Sequence, residues 1–290
     1  MEAPNWFMEN ISAPTTEHQV LVNGARIAYR AWNIHASLPG LLFVHGYGAH
    51  SHWWDFIAPA FANDYRVAAM DMSGAGDSDH RQHYSARTFA LEIIKVAQAL
   101  GEGTIVVGHS FGGTMTRIAG FEQGNVLGGV VLVDSSITPH RGTREAPPAP
   151  KSQTRYYPSL AQGMRRFRLR PPQPCANDYI LAHIARHSLR ASESGYSFKL
   201  DQALFAKMVT DQQPPLPDAT TMLAAITCPV GIIYGELSRF YPAETRLLLE
   251  SLLPANCIKG VPKAHHHVFL DQPLAFIRDL QDLLKHMRQR

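Results

Sequence analysis

The residues best suited to chemistry in this sequence surround Ser110, in the pentapeptide Gly108–His109–Ser110–Phe111–Gly112. A serine hydroxyl becomes a nucleophile when a base takes its proton, and backbone N–H groups can bind the oxyanion that then develops. The pattern Gly-x-Ser-x-Gly is typical of a serine on a tight turn between a strand and a helix. A glycine-rich loop that only joins two elements is the alternative interpretation, because so short a pattern also recurs by chance.

The residues on either side of Ser110 favour the strand–turn–helix arrangement. The apolar run Thr104–Val107 predicts a buried strand, and the apolar spacing after Thr114 predicts a helix. Small residues at 108 and 112 are needed because larger side chains would collide across the turn. Such a turn exposes the hydroxyl and points the Phe111 backbone N–H at an oxygen bound there.

Strands and helices alternate along most of the chain. The predicted strands are His18–Val22, Arg26–Trp32, Leu41–Val44, Tyr65–Met72, Thr104–Val107, Val130–Val133, Val230–Tyr234 and Asn256–Val261. The predicted helices are Trp53–Phe61, Phe89–Leu100, the segment after Thr114, Ala243–Leu252 and Leu274–Met287. The first two strands are joined by Asn23–Gly24, a hairpin signal. This alternation predicts a mostly parallel α/β sheet with helices on both faces.

The alternation stops between residues 137 and 220. Prolines cluster there, and the only helical signals are Asn177–Leu189 and Asp201–Val209. We therefore expect an inserted, mainly helical cap over 137–220, and a core built from 1–136 and 221–290. Arg141–Arg190 holds ten Arg or Lys and two acidic residues. A solvated basic face explains this excess better than attraction of an anionic substrate does.

Composition excludes several classes of function. The 290 residues are 45% hydrophobic and 18% charged, and a net charge of +3 is too small to indicate nucleic-acid binding. The three cysteines form no CxxC pair, which argues against disulfides or a zinc site. Neither a signal peptide nor a long apolar stretch is visible. We expect a cytoplasmic protein with a small-molecule substrate, no cofactor or metal, and no nucleic-acid or membrane partner.

Four motifs in order resemble those of the α/β-hydrolase fold family, and specifically its lidded, esterase-like serine hydrolases. They are His45–Gly48, Asp71–Ser78, Gly108–Gly113 and Ala264–Pro273. The resemblance covers nearly all of the chain outside the expected cap. It implies an eight-stranded, mostly parallel sheet with an inserted helical cap, and it makes Ser110 the nucleophile.

The resemblance also implies a base and an oxyanion hole. In the family the catalytic histidine stands seven residues before the proline that opens the last helix, which from Pro273 is His266, with His267 as the second candidate. The oxyanion donors would be the backbone N–H groups of Tyr47 and Phe111. Residues expected along the substrate pocket are Gly46, His109, Trp54 and His267. Residues expected to be loop structure rather than ligands are His45, His50 and His52.

The acid of the triad is where this sequence departs from the family. Ser238 occupies the usual position, three residues beyond the glycine that ends a strand, and a serine cannot stabilise an imidazolium as a carboxylate does. Asp134, at the end of an earlier strand, and Glu236, on the expected loop, are the two candidates. A Ser–His dyad, or another carboxylate, is the remaining alternative.

The residue type at 110 selects the reaction class. Relatives that open epoxides carry an aspartate there and form an alkyl ester of it, whereas a serine implies an acyl-enzyme. We expect hydrolysis of a small carboxylic ester. The alternatives are hydrolysis of a carbon–carbon bond or a lactone at the same site, and a non-catalytic ligand-binding protein, which the missing acid at Ser238 suggests.

Overall fold

An eight-stranded sheet forms the centre of the computed structural model, which describes residues 2–137, 154–210 and 214–288. Its strands are β1 (Thr16–Val22), β2 (Ala25–Trp32), β3 (Gly40–Val44), β4 (Arg66–Met70), β5 (Thr104–His109), β6 (Leu127–Val133), β9 (Val230–Gly235) and β10 (Ile258–Val261). They lie in the order β1-β2-β4-β3-β5-β6-β9-β10. The first two pairings are antiparallel and the others parallel, so the predicted fold class is confirmed.

The parallel register brings several strand ends to one edge of the sheet. Gly108 on β5 is paired with Val44 on β3 and with Leu132 on β6, and Val133 is paired with Ile233 on β9. The chain therefore leaves β3, β5, β6 and β9 at neighbouring points. In open α/β sheets this carboxyl edge is where ligands bind.

Helices cover both faces of the sheet. They are α1 (Asn5–Ile11), α2 (Ala86–Leu100), α3 (Phe111–Gln123), α6 (Ala219–Ala225), α7 (Ala243–Leu252), α8 (Val268–Asp271) and α9 (Pro273–Met287). Residues of α2, α3, α6 and α7 belong to the buried cluster on one face, and residues of α1, α8 and α9 to that on the other. Central strands such as β3 are buried on both sides, as their continuous apolar sequence predicted.

The helix expected over Trp53–Phe61 is wrong. The chain instead forms two short 3₁₀ turns, Ser51–Trp54 and Ala58–Phe61. Pro59 has no backbone N–H to donate, which interrupts an α-helix at that point. The residues from Trp53 to Ala58 are also buried on every side, so tertiary packing rather than one apolar face shapes the segment.

The segment between β6 and α6 carries α4 (Leu160–Met164), α5 (Asp178–His187) and a hairpin of β7 (Leu189–Ser192) with β8 (Gly195–Phe198). The helix expected over Asp201–Val209 is wrong, since only Phe205–Lys207 forms a 3₁₀ turn. There, the Asp201 carboxylate accepts hydrogen bonds from Tyr84 and Lys207, and the Val209 N–H donates to the Tyr84 carbonyl.

The expected cap boundaries fall partly beyond what can be described. Residues 138–153 and 211–213 lie outside the described residues, and α6 begins at Ala219, one residue before the expected end of the cap. Among the described residues, no helix has both the length and the apolar character needed to span a bilayer.

Candidate active site

Ser110 lies on a strained turn between β5 and α3. Its backbone has φ 54° and ψ −117°, outside the region that most residues adopt. A Cβ at Gly108 would lie 2.8 Å from the Gly112 carbonyl oxygen, and one at Gly112 would overlap the His45 carbonyl. The two glycines therefore let the strand, the helix and the loop after β3 approach closely enough to present the Ser110 hydroxyl.

His266 faces this hydroxyl from the loop between β10 and α8. Its Nε2 lies 2.8 Å from Ser110 Oγ, and the side chain is only 5% exposed. The Ser110 hydroxyl and the His266 ring are thus within direct hydrogen-bond reach, the geometry that a nucleophile and its base require.

Asp134 lies behind His266, at the carboxyl end of β6. Its Oδ1 is 2.7 Å from His266 Nδ1, and Oδ2 accepts a hydrogen bond of 2.9 Å from the Gly235 backbone N–H. An ionised carboxylate can only accept, so Nδ1 carries the proton and the Nε2 lone pair faces Ser110. Glu236 is exposed, and its backbone rather than its carboxylate contacts the surrounding loop.

Ser238 supports the Asp134 carboxylate. Its Oγ lies 2.7 Å from Asp134 Oδ1, and it also accepts from the Phe240 backbone N–H at 3.2 Å. The hydroxyl therefore donates to the carboxylate. Sequence reasoning missed this contact. The adjacent ends of two parallel strands could have indicated it, because Asp134 follows β6 and Ser238 follows β9.

The loop after β3 forms the opposite wall of the site. A Cβ at Gly46 would lie 3.2 Å from Ser110 Cβ and 2.9 Å from His109 Nδ1. His45 fixes this loop: it accepts from the Met72 N–H through Nε2 and donates from Nδ1 to the Gly46 carbonyl. Within the described residues, neither the Tyr47 nor the Phe111 backbone N–H has a hydrogen-bond partner.

Two of the expected pocket residues are buried histidines. His109 donates through Nε2 to the His266 carbonyl at 3.1 Å, and His267 lies 3.2 Å from the Pro171 carbonyl through its Nε2. Burial, and then the neighbouring His266, lower the pKa of His267 to about 3, and burial holds the pKa of His109 well below its ordinary value. Both rings are neutral near pH 7.

Trp54 does not line the site, which corrects the pocket assignment. Its side chain is fully buried, and its ring packs 4.8 Å from that of Phe43 and 4.3 Å from that of Phe269. A tryptophan in this apolar run fills the core beneath the loop.

A small cavity of about 10 Å³ opens beside the loop after β3. Tyr47 and Phe111 line it from the core, and Leu200 and Leu204 line it from the segment between β6 and α6. The volume corresponds to roughly one water molecule.

The fold and the geometry agree with one family. A model of the alpha/beta hydrolase family matches residues 41–280. The chain belongs to the α/β-hydrolase family.

Among curated members of the family, the chain is 28% identical over 293 residues to the esterase Rv0045c of Mycobacterium tuberculosis, covering 97% of this chain and 94% of that protein. It is 25% identical over 251 residues to a pimeloyl-[acyl-carrier protein] methyl ester esterase of Yersinia pseudotuberculosis, covering 82% and 90%. Among solved structures, the hydrolase fold of E-2-(acetamidomethylene)succinate hydrolase matches with a TM-score of 0.77 at 20% identity, covering 94% and 100%.

Proposed function

We propose that this α/β-hydrolase is a serine esterase that cleaves a small carboxylic ester through an acyl-enzyme on Ser110. The observation that carries the proposal is the continuous chain of contacts from Ser110 Oγ to His266 Nε2, at 2.8 Å, and from His266 Nδ1 to Asp134 Oδ1, at 2.7 Å. The two curated relatives named as esterases support the bond type.

In the first half of the reaction, Ser110 Oγ attacks the ester carbonyl carbon as its proton passes to His266 Nε2. The electron pair of the carbonyl moves to its oxygen, which accepts hydrogen bonds from the Tyr47 and Phe111 N–H groups. When the tetrahedral species collapses, the C–O bond to the alcohol breaks and His266 returns the proton to the leaving oxygen.

In the second half, a water molecule takes the place of the alcohol. His266 accepts a proton from this water, the hydroxide attacks the acyl carbon, and the bond to Ser110 breaks with return of the proton to its oxygen. Asp134 stays ionised throughout, because its task is to orient the ring and to stabilise the imidazolium.

The second support is that, in the part of the chain that the structure describes, the Tyr47 and Phe111 N–H groups have no hydrogen-bond partner. A donor left without a protein partner at a substrate-facing loop is available to a developing oxyanion, and loss of one such donor typically lowers turnover about a hundred- to a thousand-fold. The contribution of Leu200 and Leu204 to the adjacent cavity supports a role for the expected cap as a cover over a small-molecule substrate.

Two alternatives use the same scaffold. A carbon–carbon bond hydrolase or lactonase would keep the acyl-enzyme, so a substrate panel of esters, lactones and diketone acids distinguishes them. A non-catalytic ligand-binding protein was suggested by the serine at 238. The carboxylate of Asp134, 2.7 Å from His266 Nδ1, supports the catalytic proposal over this alternative, because it supplies a candidate acid that residue 238 lacks.

The proposal is tested by hydrolysis of p-nitrophenyl acetate and p-nitrophenyl butyrate. We expect turnover by the wild-type protein and by Ser251→Ala, a control that removes an exposed surface serine. Ser110→Ala should lose activity by a factor of at least about 10³, since nothing replaces the nucleophile. Equal hydrolysis by Ser110→Ala and the wild type would refute a role for this serine.

A further inference from the structure

A second group of polar side chains lies apart from Ser110, where α5 packs on the 3₁₀ turn Ser51–Trp54. His52 and Asp55 come from the core, and His183 and His187 come from α5. One ligand atom of each lies within 4.8 Å of those of the other three. The catalytic proposal uses none of them.

The two histidines of α5 are four residues apart, so they lie on the same face of the helix. Their ring centroids are 4.7 Å apart, and the His187 ring stacks on that of His52 with centroids 3.8 Å apart. An i, i+4 histidine pair of this kind presents two nitrogen ligands to one point.

Asp55 supplies an oxygen at the same point. Its Oδ2 lies 2.7 Å from His52 Nδ1 and 2.9 Å from His183 Nε2, so two imidazole nitrogens already converge on one carboxylate oxygen. The other oxygen, Oδ1, lies 3.2 Å from Arg30 Nε. A carboxylate held from behind by an arginine is oriented as metal-binding carboxylates are by their outer partners.

We propose that His52, Asp55, His183 and His187 form a binding site for a divalent transition-metal ion, Zn²⁺ in the first place, that ties α5 to the core. Three imidazole nitrogens and one carboxylate oxygen make a tetrahedral ligand set that suits Zn²⁺. With ligands at about 2.0–2.1 Å, neighbouring ligand atoms in such a site are roughly 3.3 Å apart. The ligand atoms of His52 and Asp55 are 2.7 Å apart and all four lie within 4.8 Å of one another, distances that span this value. Binding requires the His187 ring to rotate out of its stack on His52, because the lone pairs of two parallel rings do not meet at one ion.

Binding requires a rearrangement of protons. In the described state the Arg30 Nη1–H donates to His52 Nε2 at 3.1 Å, so the ring proton is on Nδ1 and points at Asp55. For Nδ1 to bind the ion, that proton moves to Nε2 and Arg30 Nη1 turns away. The same Nη1 lies 2.9 Å from Glu17 Oε1, so this contact shifts with it, whereas Arg30 Nη2 keeps its hydrogen bond to Thr15 at 3.1 Å. The proton that His183 donates from Nε2 moves to its Nδ1 in the same way.

The ion would connect two distant parts of the chain, since Asp55 and His183 are 128 residues apart in the sequence. It would fix α5 directly beside the segment that follows Tyr47. His183 retains 12% side-chain exposure, and His187 is only half-buried, so an ion can enter from solvent.

The test is a zinc titration of the protein after dialysis against a chelator, by calorimetry and thermal unfolding. Because His109, His266 and His267 also bring ring nitrogens within 4.8 Å of one another, the stoichiometry is read as a difference between variants. We expect wild type to bind one more Zn²⁺ than the double variant His183→Gln, His187→Gln. At a hundredfold excess over Kd, the extra ion should raise Tm by roughly 5 °C. A matched double variant, His83→Gln, His286→Gln, replaces two exposed histidines and should behave as wild type.

Equal zinc stoichiometry and equal Tm shifts in wild type and His183→Gln, His187→Gln would overturn the proposal. If that double variant does not fold, anomalous diffraction from a zinc-soaked crystal of the wild-type protein decides. A zinc peak among the four side chains supports the site. Peaks confined to the histidines beside Ser110, or no peak, overturn it.

Discussion

Asp134 places a carboxylate behind His266, and Ser238, at the position where the family's acid is expected, donates a hydrogen bond to it. Both residues follow strand ends that are adjacent in the sheet, and both reach the same point behind His266. The carboxylate comes from the residue after β6, and the serine comes from the loop after β9. From the sequence, the candidates for the acid were Asp134, Glu236, and a dyad or another carboxylate. The sequence could not choose among them, because the choice depends on which strand end faces the His266 ring.

Exchange of each carboxylate for its amide tests the assignment of the acid. Asp134→Asn replaces the carboxylate behind His266 Nδ1 with an uncharged amide that also carries N–H donors, so the ring loses its charge partner and its fixed tautomer, and we expect kcat to fall by a factor on the order of 10⁴. Glu236→Gln, the matched change on the exposed loop residue, should stay within about twofold of wild type. Steady-state hydrolysis of p-nitrophenyl butyrate measures both. A large loss in Glu236→Gln with an active Asp134→Asn would reverse the assignment.

Removal of the Ser238 hydroxyl tests its part in orienting Asp134. In Ser238→Ala the carboxylate loses one of its donors while His266 and Gly235 remain, so we expect kcat to fall about fivefold, or about 1 kcal/mol, with KM unchanged. Ser238→Thr keeps a hydroxyl at the same position and should retain most of the activity. A wild-type kcat in Ser238→Ala would show that the contact has no catalytic consequence.

At the scale of elements, the turn from β5 into α3 was predictable from its glycines, because a tight strand-to-helix turn leaves no room for larger side chains at those positions. The strands of the sheet were predictable for a similar reason, since a continuous apolar run has few alternatives to a buried strand. Trp53–Phe61 and Asp201–Val209 were not, because their shape follows from distant contacts such as that between Tyr84 and Asp201. Local periodicity does not record such contacts.

Two glycines of α3 provide a test of how tightly the turn is packed. Gly112→Ala places a Cβ into the His45 carbonyl, so α3 must move away from the loop that carries Tyr47. We expect near-complete loss of activity and a lower Tm. Gly120→Ala on the same helix meets only side-chain atoms, at 3.2 Å and beyond, and gains helix propensity. It should remain active and stable in the same assays, and equal damage by both substitutions would contradict the packing argument.

At the scale of the whole molecule, the buried neutral histidines make stability depend on pH. The pKa of His267 is about 3 in the folded protein, against an ordinary value of 6.5. Between these values the unfolded chain binds a proton that the folded one does not, so stability is complete above pH 6.5 and is lost as the pH falls. We expect the free energy of unfolding to decrease steadily from pH 7 to pH 5 in chemical denaturation.

The variant His267→Gln isolates this contribution. It removes one titrating group, so the slope of unfolding free energy against pH between 6 and 5 should become shallower by up to about 1.4 kcal/mol per pH unit. An unchanged slope would mean that His267 does not control the loss of stability in acid.

The contacts between the core and the segment that joins β6 to α6 could not be predicted from the sequence. The lapse in alternation predicts an insertion there, but it does not predict contacts such as that of His52 with His187, which joins residues far apart in the chain. The histidines expected to be loop structure include His52, which the structure places in that cluster. Such pairings arise only when the whole fold is assembled.

The central claim is that Ser110 carries the acyl group, and intact-protein mass spectrometry tests it most directly. Wild-type protein mixed with p-nitrophenyl butyrate and quenched in acid should show a species heavier by one butyryl group, with the modification on the peptide that contains Ser110. Ser110→Ala should show no such species. A butyryl group on another residue of the wild-type protein, or turnover by Ser110→Ala at the wild-type rate, would contradict the account.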